Sequence, residues 1–185
     1  MKRFFSLTAI AVVFSVFISS CNKDNGCAAG YSGSSCATIN TPTQMTITSI
    51  TVTGFSELQT NGNDWNSGGT GQANASGFAN IYPVITDASG NVIYNFSQNA
   101  VINAAYQSSY TFTPSAPITI TNPTASYNLA LFNSQAGCGS CIGSDPLMGY
   151  VACVPFTAGQ AVGFPGSITA VGGGVGFRVA VTYTH

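Results

Sequence analysis

Phe177-Arg178-Val179-Ala180-Val181-Thr182-Tyr183-Thr184 alternates without a fault. Phe177, Val179, Val181 and Tyr183 share one side of an extended chain. Arg178, Ala180, Thr182 and Thr184 share the other, the period of two expected of a strand with one face in a core. Working outward, residues 126–133 repeat the pattern, with Tyr127, Leu129 and Leu131 on one face. Residues 45–55 are rich in β-branched side chains and alternate with a phase slip between Ile47 and Ile50, which predicts a bulge. Residues 79–86 form a strand whose Pro83 predicts an edge position or a bulge. Asp87-Ala88-Ser89-Gly90 is a turn, and residues 91–97 return with Val92, Tyr94 and Phe96 on one face, completing a hairpin. Residues 109–113 and 118–121 are two short runs split by Pro114 and Pro117, and residues 148–155 add a further strand. No stretch carries a 3.6-residue period with helix caps. About eight short strands with turn signals between them predict an all-β, antiparallel β-sandwich over residues 45–185.

Two loops interrupt this series. Residues 59–77 are dense in Asn and Gly, with Trp65 their sole large apolar side chain; residues 135–144 form the second. Loops of such length inside a compact domain usually serve a function. Trp65 either folds back on the sandwich edge or offers a ligand a flat platform.

Only 5% of the 185 residues are charged, while 45% are apolar. Beyond residue 20 the basic residues are Lys23 and Arg178 and the acidic ones Asp24, Glu57, Asp64, Asp87 and Asp145. Nucleic-acid backbones are bound by clustered Lys and Arg, and this chain has no cluster, so no nucleic-acid partner is expected. A polybasic membrane patch is excluded on the same ground. The apolar content and low charge also set the chain apart from disordered sequences.

The N-terminus carries its own signal. Lys2 and Arg3 precede an apolar run over residues 4–17, and Ser19 and Ser20 are the small residues a signal peptidase needs. With Cys21 next, Ile18-Ser19-Ser20-Cys21 resembles the lipobox of type II signal peptides. The resemblance implies cleavage after residue 20 and fatty acylation of Cys21, which anchors residues 21–185 to a membrane; each buried methylene adds about 0.8 kcal/mol. By resemblance to known sorting behaviour, the absence of an Asp at Asn22 and Lys23 points to the outer membrane, facing the periplasm or the cell surface.

Residues 21–44 read as a tether holding a small loop. Cys27-Ala-Ala-Gly30-Tyr31-Ser-Gly33-Ser-Ser-Cys36 resembles the last loop of an EGF-like module. The resemblance extends over these ten residues alone and implies a Cys27–Cys36 disulfide, which is also the default for paired cysteines in an exported chain.

Within residues 45–184 the order of strand, Asp64-Trp65, Asn80-Ile81-Tyr82-Pro83-Val84, hairpin, Tyr127-Asn-Leu-Ala-Leu-Phe132-Asn133 and Asp145-Pro-Leu-Met148-Gly149 resembles a C2-like domain of the kind attached to bacterial lipoproteins. C2 domains hold calcium on carboxylates from loops at one end. The matching positions here are Asn80, Asn133, Gln135 and Asp145, so three expected acids are amides. Calcium favours charged oxygen ligands, and the resemblance therefore implies a weak calcium site or none.

Cys138, Cys141 and Cys153 leave several pairings open. One disulfide among the three fits an oxidising envelope. Cys138-Gly-Ser-Cys141 as a redox pair lacks the helix N-terminus that lowers a thiol pKa. A zinc site would add His185 to the three. With Cys21 acylated, five cysteines remain, and an odd number cannot all pair within one chain.

Catalytic groups are sparse. The sole His is His185, so a nucleophile–base arrangement is not expected. The run 171–177 is Gly-rich but has no helix pattern after it, so it is no phosphate cradle. The expectation is a non-enzymatic, envelope-anchored binding or adhesion module, meeting ligand at the loop end through Asp64, Trp65, Asn80, Asn133, Gln135 and Asp145. The competing readings are a structural subunit of an outer-membrane protein complex, a calcium-dependent binding domain and an accessory to a hydrolase.

Overall fold

The computed structural model describes residues 26–65, 78–135, 145–157 and 164–185. The chain divides into two compact units between Asn40 and Thr41. In the first, β1 (Tyr31–Ser32) pairs with β2 (Thr38–Ile39), and Cys27 is bonded to Cys36 with Cα atoms 5.3 Å apart. The disulfide implied by the ten-residue Cys loop is therefore present. Ser32 Oγ donates to Asn40 Oδ1 across the small hairpin.

The second unit is an antiparallel β-sandwich. Its strands are β3 (Gln44–Phe55), β4 (Ala79–Asp87), β5 (Val92–Asn95), β6 (Val101–Ala104), β7 (Tyr110–Phe112), β8 (Ile118–Ile120), β9 (Tyr127–Asn133), β10 (Leu147–Cys153), β11 (Ser167–Gly172) and β12 (Val175–Thr184). One sheet runs β10-β9-β4-β5, with β6 also on β4; the other runs β11-β12-β3-β7, with β8 also on β3. Ile50, Val52, Ile81, Ile85, Phe96, Leu131 and Phe177 are buried between them. Full burial of each such side chain is worth about 1.5–3 kcal/mol.

The clean alternation of 177–184 is fulfilled: Phe177, Val179 and Val181 are buried while Arg178 and Thr182 are exposed. In β3 the phase slip is a bulge. Ala180 faces Ser49 but Val181 faces Ile47, which leaves Thr48 as the extra residue. A second shift, between Gly176 and Phe177, leaves Thr53 extra. Each bulge resets the phase, so Met45, Ile47, Ile50, Val52 and Phe55 all reach the core despite uneven spacing.

Pro83 departs from expectation. The strand β4 is interior, flanked by β9 on one side and by β5 and β6 on the other. Proline fits because the flanking lane is broken opposite it: Phe96 N–H donates to the Pro83 carbonyl, and the chain then leaves in a 3-10 turn at Ser97–Asn99 before resuming as β6. The missing proline N–H falls where no ladder bond is needed. The hairpin strand also ends sooner than expected, at Asn95. Val92 stays 49% exposed, while Phe96 turns into the core at the start of the 3-10 turn, 5.8 Å from the Phe112 ring. The hairpin turn itself is as read. Asp87 Oδ1 accepts from the N–H groups of Ser89 and Asn91, its Oδ2 from Asn91 Nδ2, and these bonds hold the carboxyl below its ordinary pKa.

β6 and β11 were not expected. β6 is four residues long and carries Asn103 in the left-handed region (φ 58°). β11 runs into a Gly-rich turn that obscures its alternation. That turn closes one side of the sandwich. A Cβ at Gly149 would collide with the Gly173 carbonyl oxygen, and one at Gly173 with the Tyr150 carbonyl oxygen, so the backbones of β10 and the β11–β12 turn meet directly.

Candidate functional site

The pairing of first and last strands sets the polarity of the domain. Gln44 lies opposite Thr184, and Phe55 opposite Val175. Entry and exit of the chain are therefore at one end, where Thr43 N–H also donates to the Thr184 carbonyl. The twelve residues of β3 span about 40 Å at the usual rise. At the far end lie the start of β4, the end of β9, the start of β10 and the bases of the two long loops.

A buried hydrogen-bond network organises this far end. Asn133 is fully buried at the last position of β9; its Oδ1 accepts from Asn80 N–H at 2.7 Å and its Nδ2 donates to the Trp65 carbonyl at 3.1 Å. Asn80, near the start of β4, accepts at Oδ1 from Asn103 N–H at 3.0 Å and donates from Nδ2 to the Ser134 carbonyl at 3.3 Å. The Ser134 N–H returns a bond of 2.6 Å to the Asn80 carbonyl. The side chain of Trp65 is buried against the sandwich, and its Nε1 donates to the Ser56 carbonyl at 2.9 Å. Gln59 Nε2 donates to the Asp64 carbonyl at 2.9 Å and cross-braces the same loop.

Asp145 closes the second loop. It is buried, its Oδ1 accepts from Gln135 N–H at 2.9 Å and its Oδ2 from the Tyr82 hydroxyl at 2.8 Å. Both donors are neutral. Among the described residues the sole Lys or Arg is Arg178, exposed on β12. Burial, and then the bond to Asp145 and its charge, push the Tyr82 hydroxyl well above the ordinary tyrosine pKa. Tyr82 also stacks on Phe132, with ring centroids 5.7 Å apart.

The structure thus brings Trp65, Asn80, Asn133, Asp145 and the backbone of Gln135 into one region. Their polar atoms are turned on one another and on the loop backbone. Asp64 is exposed, in a backbone bridge to Leu58. Gln135 takes part through its main chain. Tyr82, Asn103, Ser56 and Gln59 belong to the same network and were not singled out from sequence. Their signal was indirect: a polar residue set in an otherwise apolar strand end, as Asn80 and Asn133 are, implies backbone groups that need partners.

Solvent-facing features flank the network. Leu58 and Phe78, which bracket residues 59–77, are each 42% exposed. A groove of about 360 Å³ is lined by Thr53, Gly54, Phe55, Val171, Val175 and Gly176. Among the described residues no three His, Cys, Asp or Glu side chains stand close enough to share a metal ion. Of the cysteine set, Cys138 and Cys141, like Cys21, lie outside the described residues. Cys153 is a half-buried thiol on β10, pushed up in pKa by burial. His185 packs its ring edge-on against Phe164 at 4.5 Å.

No family model matches the chain, and no curated protein matches it. Solved structures similar to it include a C2 domain, at 12% identity and a TM-score of 0.44, covering 77% of this chain and 98% of that one. The pair of C2 domains, A and B, of Extended-Synaptotagmin 2 is similar at 10% identity and a TM-score of 0.38, over 80% of this chain and 43% of that one. The C2 domain A of a plant Extended Synaptotagmin 1 is similar at 9% identity and a TM-score of 0.35, over 78% and 97%.

Proposed function

We propose that this chain is a lipid-anchored envelope protein that acts as a non-catalytic binding or adhesion module, contacting its ligand with the loop end of the sandwich. The observation that carries this reading is the antiparallel pairing of β3 with β12, which sets the start of β3 and the end of β12 at one end, while the bases of the two long loops are bonded together at the other. A module acylated at Cys21 would then be joined to its tether at the end of the sandwich away from the bases of the two loops. The buried network supports the reading in a second way. A satisfied polar network fixes a single arrangement of the loop bases, and binding to preorganised loops avoids the entropy of ordering them. The exposed Leu58 and Phe78, and the groove lined by Phe55, Val171 and Val175, supply apolar contact area for such a ligand.

A second reading, a subunit of an outer-membrane protein complex docked through the sandwich away from the loop end, is favoured by Val92 at 49% and Val154 at 41% exposed, near the pairings of Thr86 with Asn128 and of Cys153 with Tyr127. Site-specific photo-crosslinking in native cells separates the two. Crosslinkers replacing Leu58 or Phe78 are expected to yield adducts, and crosslinkers replacing Val92 or Val154 none. Adducts confined to the Val92 and Val154 positions would replace the first reading with the second.

A further inference from the structure

Asn-Gly occurs twice in the sequence, at Asn25-Gly26 and Asn61-Gly62. Gly62 lies in the tight turn between Gln59 and Asn63, with φ at +81° and no atom within 4 Å of the place a Cβ would take. Asparagine followed by glycine is open to internal attack, because nothing on the glycine shields its nitrogen from the preceding carboxamide. Asn61 is exposed, and its Oδ1 accepts a hydrogen bond of 3.0 Å from Asn63 N–H. That oxygen gains negative charge when Cγ is attacked. A backbone donor already aimed at it favours the tetrahedral intermediate, as the donors of an oxyanion hole do.

We propose that Asn61 is a self-modification site, converting to aspartate and isoaspartate in the folded protein and thereby releasing the Trp65 loop. Gly62 N–H leaves the Gln59 carbonyl, to which it is bonded at 2.9 Å, and yields its proton to hydroxide. The nitrogen attacks Asn61 Cγ, the Cγ–Nδ2 bond breaks, and ammonia departs with a proton from water. The resulting succinimide is opened by water at either carbonyl, so the net change is amide plus water to acid plus ammonia.

The isoaspartyl product lengthens the backbone by one methylene within this short turn. It breaks the pattern in which Gln59 N–H donates to Asn63 O at 2.9 Å and Gly62 N–H to Gln59 O. Gln59 is also the brace on the Asp64 and Trp65 carbonyls, so the change reaches the backbone that carries the buried indole. It places a new negative charge at the loop end of a chain with few charges. The site stands independently of what that end binds.

Trp65 is the one Trp in the chain and reports on the turn. The full chain, incubated at mildly alkaline pH, is followed by peptide mass mapping, by isoaspartyl methyltransferase labelling and by tryptophan emission. Asn61 is expected to lose its amide ahead of every other asparagine from residue 40 onward, with a red shift of Trp65 emission in step. N61Q, whose longer side chain disfavours the ring closure, is expected to hold both readouts constant. Earlier conversion at another asparagine in that range, or an intact Asn61 in folded protein while the urea-unfolded chain converts there, would overturn the site. Conversion without an emission change would overturn the release of Trp65.

Discussion

The hydroxyl of Tyr82 donates to Asp145 Oδ2 at 2.8 Å, tying an interior strand of one sheet to the far base of the loop that leaves at Gln135. The carboxylate is buried, and its second oxygen is held by the Gln135 N–H. Tyr82→Phe keeps the ring stacked on Phe132 and leaves one carboxylate oxygen without a donor. The expected loss is about 2 kcal/mol, the scale of a hydrogen bond to a charged group, or about 6 °C in Tm for a domain of this size. Urea and thermal unfolding check it; an unchanged Tm would mean that the bond contributes nothing net.

The same bond sets an alkaline limit. Burial, with Asp145 behind it, raises the folded-state pKa of the Tyr82 hydroxyl, so the folded chain holds this proton more tightly than the unfolded one. Its contribution is complete below the ordinary tyrosine pKa of about 10 and is lost as pH climbs from there toward the raised folded value. Tyr127 and Tyr183 are shifted in the same direction by burial. Unfolding free energy measured from pH 8 upward is therefore expected to fall above about pH 10, and to fall less steeply in Tyr82→Phe, which retains the other two tyrosines.

Asn133 joins both loops to the sheet. Asn133→Ala strands the Asn80 N–H and the Trp65 carbonyl in a buried site, at an expected cost of about 2–3 kcal/mol, and moves Trp65 emission to the red. Asn133→Asp inserts a second carboxylate near Asp145 with no described cation at hand, and is expected to be at least as destabilising. Calcium at about millimolar concentration should leave the wild-type Tm nearly unchanged, because the amides Asn80 and Asn133 bring no charge; a rise of several degrees would reveal a real site.

Two glycines are expected to respond oppositely. Gly149→Ala drives a Cβ into the Gly173 carbonyl and should cost about 1–3 kcal/mol, the range for overpacking. Gly54→Ala meets nothing within 4 Å and has an ordinary φ, so it should be neutral or stabilise by about 0.4–1 kcal/mol through the unfolded chain. Parallel denaturation curves of the two variants test whether the close approach of β10 to the β11–β12 turn holds the sandwich shut.

The sandwich was legible where burial on one face alone dictates residue type, as in 177–184 and 127–133. Even the bulge at Thr48 was visible as a slip in phase. Interior strands hide more. β4 is buried almost throughout and reads as a plain apolar run, so its central position could not be told from an edge. Pro83 pointed the wrong way because the break in its neighbouring lane is a tertiary fact. The site residues Asn80, Asn133 and Asp145 were singled out as positions that match the calcium-holding loops of a C2-like domain. Whether they faced a ligand or one another depended on partners 53 and 63 residues away, Asn133 for Asn80 and Asp145 for Tyr82, which no local pattern encodes.

The proposed function rests on an anchor at Cys21, and mass spectrometry of the N-terminal peptide of protein extracted from native cells tests it most directly. The expected result is a chain beginning at Cys21 with fatty acyl groups on its sulfur and amino group. A free thiol at Cys21, or a chain still carrying Lys2 and Arg3, would contradict it.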